Sequence, residues 1–336
     1  MSNNNYHFVR PDILTDLLAG DFFTRTNGEP TRASYARTLL EIGEKNTKVV
    51  VLDADVSKSI GTNKFAEKFP DRSFNFGIAE QNMFAAAAGM ATTGLIPFAS
   101  TYAVFASMRA LDMVRNSIHY PRLNVKIAAS HSGITPGPDG VTHQGQEDLS
   151  IMRAIANSTV IAPADPTTTE QAVRAAVEYN GPVYLSFTRD PVPKIFTKAY
   201  PFEIGKAVTV RTGSDATIIA MRDLTAQALV AAEMLSIKGI DARVVDCHTL
   251  KPLDVEIVLQ VAEETGAIVT AENNVIFGGL GSAVAEVLVE NLPIPMKRIG
   301  VRDTFAESGP YLNLLEKYGL SAKHIVAAVE EVIKRK

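Results

Sequence analysis

Residues 74–83 read F-N-F-G-I-A-E-Q-N-M and run into Ala85, Ala86, Ala87, Ala88 and Gly89. A β-like stretch at 73–76 leads to a carboxylate, Glu80, where a helix walled with small residues begins. A second apolar run, 96–99, follows that helix. Strand, polar turn, helix, strand is the repeating unit of a parallel sheet, and it places Glu80 beyond the carboxyl end of a strand.

The same alternation extends in both directions. Residues 49–52 form a short uninterrupted apolar run, as a strand covered on both faces requires, and 125–129, 159–162 and 183–187 read the same way. Between them the spacing predicts helices from Thr31, acting as a cap, to 43–46, then over 81–93, 105–119, 149–157 and 168–179. Pro191, Pro193 and Pro201 interrupt the pattern. It resumes with strands at 217–221, 243–246 and 267–272 and helices at 226–238, 282–291 and 322–334. The expected organisation is an arm at 1–29, an α/β domain with a doubly wound parallel sheet at 30–193, a linker at 194–205 and a smaller α/β domain at 206–336. Within the arm, 12–18 reads as a short amphipathic helix that lies on another surface, in this chain or a partner.

Composition narrows the class. The chain has 336 residues, 46% hydrophobic and 21% charged, enough for two cores of ordinary size. Net charge is -4 with no basic block, which argues against nucleic acid as a partner. No apolar run is long enough for a membrane span, and the polar, Asn-rich first ten residues carry no signal core, so a cytoplasmic location is expected. The one cysteine, Cys247, reads as a small core residue and excludes an intrachain disulfide.

Polar residues gather where strands end. Asp53, Asp55, Ser57 and Ser59 follow the 49–52 run, and Glu80 follows 73–76. The loop 130–146 reads S-H-S-G-I-T-P-G-P-D-G-V-T-H-Q-G-Q after 125–129. Read one at a time, these residues have ordinary structural explanations. Glu80 suits a helix start, Tyr102 and Phe105 have core spacing, and Asp55 and Ser59 are turn formers. Two histidines, an aspartate and a Pro/Gly-rich turn in one loop are more than packing needs.

Together they resemble the thiamine diphosphate enzymes of the transketolase and deoxyxylulose-phosphate synthase branch, with segments in family order over residues 30–335. The D-G-x-T-H element is Asp139–His143, and His131 and Ser132 stand eight and seven positions before that Asp, the transketolase pattern rather than the synthase one. The resemblance implies a pyrimidine-binding domain followed by a transketolase C-terminal domain. It implies that Glu80 activates the cofactor by sharing a proton with its aminopyrimidine nitrogen, which a site with little water would suit. By the same resemblance Tyr102 and Phe105 stack on the pyrimidine ring and Asp55 lies near the cofactor. Asp139 and His143 bind donor-sugar hydroxyls, with His143 close to the reacting carbons. Arg32, Ser59, His131 and Arg189 hold the terminal phosphate of the substrate.

One part of the family's equipment is missing. The diphosphate is held through Mg²⁺ (or Ca²⁺) on a G-D-G element and a later Asn. This chain has no G-D-G, and Glu272-Asn273-Asn274 has no upstream Asp partner. No metal ligand is therefore expected here, and the resemblance narrows to the C-terminal subunit of a split transketolase. Residues 303–319 match that subunit too. The implied partner is an N-terminal subunit carrying thiamine diphosphate and the metal, in an α2β2 heterotetramer acting on sugars. Gly278-Gly-Leu-Gly281 reads as a helix-start turn rather than a phosphate loop. Alternatives are a relative acting on a sulfonated or otherwise non-standard sugar, a deoxyxylulose-phosphate synthase, a 2-oxo acid dehydrogenase β subunit, and a regulatory pseudo-subunit. D-G-x-T-H argues against the dehydrogenase, and retention of Glu80, Asp139 and His143 against the pseudo-subunit.

Overall fold

The computed structural model describes residues 7–9, 13–18, 28–196 and 200–336. The first domain supplies β1 (Val49–Asp53), β2 (Ser73–Asn75), β3 (Ile96–Tyr102), β4 (Lys126–Ser130), β5 (Thr159–Ile161) and β6 (Val183–Ser186). The second supplies β7 (Val208–Arg211), β8 (Ala216–Ala220), β9 (Ala242–Asp246), β10 (Thr249–Lys251), β11 (Ile268–Val275) and β12 (Met296–Val301). The first sheet runs β10-β5-β6-β4-β3-β1-β2 and the second β12-β11-β8-β9-β7. All pairs are parallel except β10 with β5 and β7 with β9.

Strands β1, β4, β5 and β6 are buried along their whole length, because helices cover both faces of the sheet. Alternate residues of β1 divide between two cores. Val49 and Val51 pack with Tyr35, Leu39 and Leu185, whereas Val50 and Leu52 pack with Phe84, Ala87 and Ile127. The second of these cores continues through Ile219, Met221 and Val245 into the second domain, so the two domains share buried surface. β10 tightens the joint by lending the first sheet a strand from the second domain.

Several expectations need correction. Thr31 does not cap its helix (Thr31–Lys45). Pro30 holds the cap position, and Thr31 pairs with Thr188 through N–H donors at 3.1 and 2.8 Å. The tertiary partner outweighs the local cap, and as a result Arg32 and Arg189 become neighbours. The segment 105–119 is not one regular helix. Phe105–Arg109 and Val114–His119 are π-helical on either side of Leu111–Met113, an irregularity frequent at functional sites. Strands β7, β10 and β12 and helices Val255–Thr265 and Tyr311–Lys317 were not anticipated. In the arm, Ile13–Leu18 is helical and Asp12 lies outside the described residues. Ile13 is buried in the core formed by Leu229 and Ala232, His7 N–H donates to the Val210 carbonyl at 2.9 Å, and Val9 pairs with Phe196. Among the described residues no helix is long and apolar enough to cross a membrane. Burial raises the pKa of the Cys247 thiol, as expected of a core residue.

At the domain joint, the turn between β9 and β10 carries His248. Its ring stacks on Phe202 at 4.1 Å, with Nδ1 2.9 Å from Thr249 Oγ1. Burial lowers its pKa to about 3. The fold holds the neutral ring, so its contribution to stability is complete above the unfolded pKa of about 6.5 and is lost as pH falls toward the folded value. From pH 7.5 to pH 5 that loss is about 2 kcal/mol. His248→Phe should therefore gain about 2 kcal/mol on the wild type over that interval in urea unfolding. An unchanged difference between the two proteins would show that His248 does not titrate differently on unfolding.

Candidate active site

Strands β2 and β3 lie on opposite sides of β1, so the chain reverses direction across the sheet there, and the crevice opens at the carboxyl ends. Asp53, Tyr102, Ser130 and Ser186 end β1, β3, β4 and β6 at that rim.

Glu80 begins the helix Glu80–Thr92 and is 2% exposed. Both of its carboxylate oxygens accept from Arg109 Nη1, at 3.1 and 3.0 Å. The Arg109 side chain is 45% exposed, and its guanidinium carbon lies 4.3 Å from the centre of the Phe105 ring. From Phe105 a tier of rings leads across the crevice. Phe105 and Tyr102 stack at 5.8 Å, Tyr102 and His131 at 3.7 Å, and His143 meets Phe105 edge-on at 5.8 Å.

The far end of the tier is a polar cluster. Ser59 Oγ accepts from Tyr102 OH and from Arg32 Nη1, both at 3.0 Å. His131 Nδ1 lies 2.8 Å from Ser130 Oγ, and its Nε2 is 3.7 Å from Asp139 Oδ2. Arg189 Nε is 3.4 Å from the same Asp139 oxygen, and Arg189 Nη1 donates to Asp190 at 2.7 Å. Burial first, then Arg32, Arg189 and His143, lower the His131 pKa to about 2, so this ring is neutral. Burial and the nearby Arg189 also lower the Arg32 pKa. Among the described residues Arg32 donates to a neutral hydroxyl and forms no ion pair, so an arriving anion would relieve this arrangement. His131 has φ 65°, a left-handed conformation uncommon outside glycine that turns the ring into the crevice.

The structure thus brings Glu80, Phe105, Tyr102, His131, His143, Asp139, Ser59, Arg32 and Arg189 along one rim. Asp55 stands apart from the ring tier. It has φ 64° and exchanges hydrogen bonds with Asn75 at 3.2 and 3.3 Å. Sequence reasoning missed Arg109 and Asp190. Arg109 stands four residues beyond Phe105, a spacing that puts two side chains on one helical face and was the available signal. The Gly-rich turn before the helix Leu280–Asn291 holds one of the chain's own carboxylates. Glu272 accepts from Leu280 N–H and Gly281 N–H, each at 2.8 Å, while burial raises its pKa to about 7.

This donor set suits the ring end of an aminopyrimidine cofactor, with a buried carboxylate for a ring nitrogen and aromatic faces beside it. Among the described residues no group of three or more His, Cys, Asp or Glu is placed to hold a metal ion.

Residues 29–194 match the family described as transketolase, pyrimidine binding domain, and 205–325 match transketolase, C-terminal domain. The chain is 45% identical over 305 residues to the 6-deoxy-6-sulfo-D-fructose transketolase subunit of Clostridium sp. (strain MSTE9), covering 91% of this chain and 95% of that one. It is 47% identical over 307 residues to the putative transketolase C-terminal section of Methanocaldococcus jannaschii, covering 90% of this chain and 96% of that one. A solved split gene transketolase, an inactive beta4 tetramer, superimposes with a TM-score of 0.85 at 51% identity, covering 92% of this chain and 99% of that one. The chain therefore belongs to the transketolase family, as an enzyme subunit of the split type that carries the pyrimidine-binding and C-terminal domains.

Proposed function

We propose that this subunit, joined to a separate N-terminal subunit, transfers a two-carbon ketol unit from a ketose to an aldose. One observation carries the reading. A buried carboxylate at one end of a ring tier is joined by that tier to a cluster of two arginines, a neutral histidine and an aspartate at the other end. Thiamine diphosphate, held through Mg²⁺ by the partner, would supply the carbon nucleophile that receives the ketol unit. This chain's Glu80 would hold the proton at the pyrimidine nitrogen, and Tyr102 and Phe105 would flank the ring; Asp55, bonded to Asn75, touches neither of these rings, and a place for it near the cofactor rests on the resemblance alone. Asp139 and His143 would orient the sugar hydroxyls. Arg32, Ser59, His131 and Arg189 would receive its terminal anion. The proposed assembly is an α2β2 heterotetramer, on the resemblance to split transketolases.

The terminal anion is read first as a phosphate. The sulfo-fructose relative supports a second reading, a sulfonate, because a guanidinium donates equally well to either oxyanion. A donor screen on the reconstituted complex, with phosphorylated, sulfonated and neutral ketoses, separates the two. Ketol transfer from none of them would overturn the proposal. Within that assay Arg32→Ala should raise the KM of the preferred anionic donor by about 10- to 100-fold, the worth of one charge-assisted hydrogen bond. A neutral donor should be little affected. Equal effects on both donors would remove Arg32 from the anion site.

A further inference from the structure

We infer that Arg222, a residue of the C-terminal domain, is a positioning residue for the sugar-recognition loop 131–145. The inference rests on the reading of that loop given above. Arg222 follows β8, is 1% exposed and has φ 56°, so a long cationic side chain is held in a left-handed backbone and turned inward. Its Nε donates to Asp223 at 3.0 Å, Nη1 donates to Ser186 Oγ at 2.8 Å, and Nη2 donates to the Asn273 carbonyl. Asp223 also accepts from Asn273 Nδ2 at 2.8 Å and from the Tyr311 hydroxyl.

Three successive loop residues rest on this cluster. Ser132 Oγ is 2.7 Å from Ser186 Oγ, which is also 3.2 Å from the buried Asp148 carboxylate. Gly133 packs so closely that an added Cβ would sit 2.6 Å from Arg222 Nη2 and 2.3 Å from the Asn273 carbonyl. Ile134 N–H donates to Asn273 Oδ1 at 3.0 Å. The loop returns to the same point, with Gly133 N–H donating to the Gly145 carbonyl at 2.8 Å and Gly145 N–H to the His131 carbonyl at 3.2 Å. His131, Asp139 and His143 all lie on the span closed by these bonds.

A buried ion pair adds little to stability compared with an apolar replacement. What it does here is set geometry: a planar guanidinium ties β6, β8, β11 and the loop into one register. Since misplacing substrate-orienting groups by about 1 Å can cost about 10²-fold in rate, loosening this strut should be felt at the sugar.

The test compares wild type, Arg222→Met and Arg222→Lys in the complete two-subunit enzyme. Arg222→Met should lower kcat/KM for the donor by about 10- to 100-fold. Thiamine diphosphate affinity should change less than donor kcat/KM, because Glu80 lies off the cluster and the diphosphate is held by the partner in this reading. Amide exchange should quicken within 131–145 and at the strand ends near Ser186 and Asn273, and not across the rest of the chain, and Arg222→Lys should recover part of both effects. Donor kinetics and exchange equal to wild type in Arg222→Met would overturn the inference, as would uniform loosening of the whole chain. If Arg222→Met does not fold, Ser186→Ala decides, since it cuts the link to Ser132 and leaves the Arg222–Asp223 pair. It should quicken exchange in the same segment, and wild-type exchange would overturn the inference. A wild-type complex that transfers no ketol unit would sink the reading of the site, whereas the exchange measurement would still judge the strut.

Discussion

Glu80→Gln in the assembled enzyme should lower kcat by about 10²- to 10⁴-fold, the span of a lost acid–base contribution, while leaving assembly intact. The amide has the size of the carboxylate and still accepts from Arg109, so packing at the start of its helix survives. What it loses is the capacity to hold a proton that moves. The structural cost is limited because Arg109, which loses only the charge of its partner, is 45% exposed and can turn to water. Steady-state kinetics beside a measurement of assembly mass separates the two effects. Turnover near wild type would remove Glu80 from its role, and failure to assemble would make the residue structural.

The isolated chain should show no ketol transfer and negligible affinity for thiamine diphosphate, and addition of the N-terminal subunit with Mg²⁺ should restore both. The reason is electrostatic. A diphosphate must be neutralised by a cation held on oxygen ligands. Among the described residues no cluster of carboxylates or histidines is arranged for one. The anion cluster formed by Arg32, His131 and Arg189 lies at the other end of the ring tier from Glu80 and is read as the sugar's. Titration calorimetry with cofactor and Mg²⁺, before and after adding the partner, checks this directly. Robust turnover by the purified chain would end the split-site reading.

The candidate residues were legible in two ways, as polar side chains after strand runs and through the resemblance that gave them roles. Runs such as 49–52 and 183–187 read as strands covered on both faces, and the polar residues that follow them fall at the carboxyl end of the sheet, where a crevice forms. Glu80, Ser59 and His131 stood out as candidates on that ground, and the roles proposed for them came from the resemblance. Arg109 gave only a weak signal, its spacing from Phe105, since an arginine inside a helix is usually a solvated face; the structure shows it on an irregular turn, paired with Glu80. Strand β10 was hidden for a related reason. A three-residue edge strand has no period to read and exists because β5 leaves an edge for it to join.

Local pattern, then, indicated most of the element types, the parallel sheet and the polar residues at its strand ends, because burial on one or both faces writes a period into the chain. The tertiary structure alone decided which of those residues meet. Thr31 pairs with Thr188 across 157 positions and makes neighbours of Arg32 and Arg189. Arg222 reaches from one domain beneath a loop of the other. Such contacts join residues far apart in sequence, so no periodicity records them, and they form only when the two packed domains bring their buried polar groups within hydrogen-bonding reach.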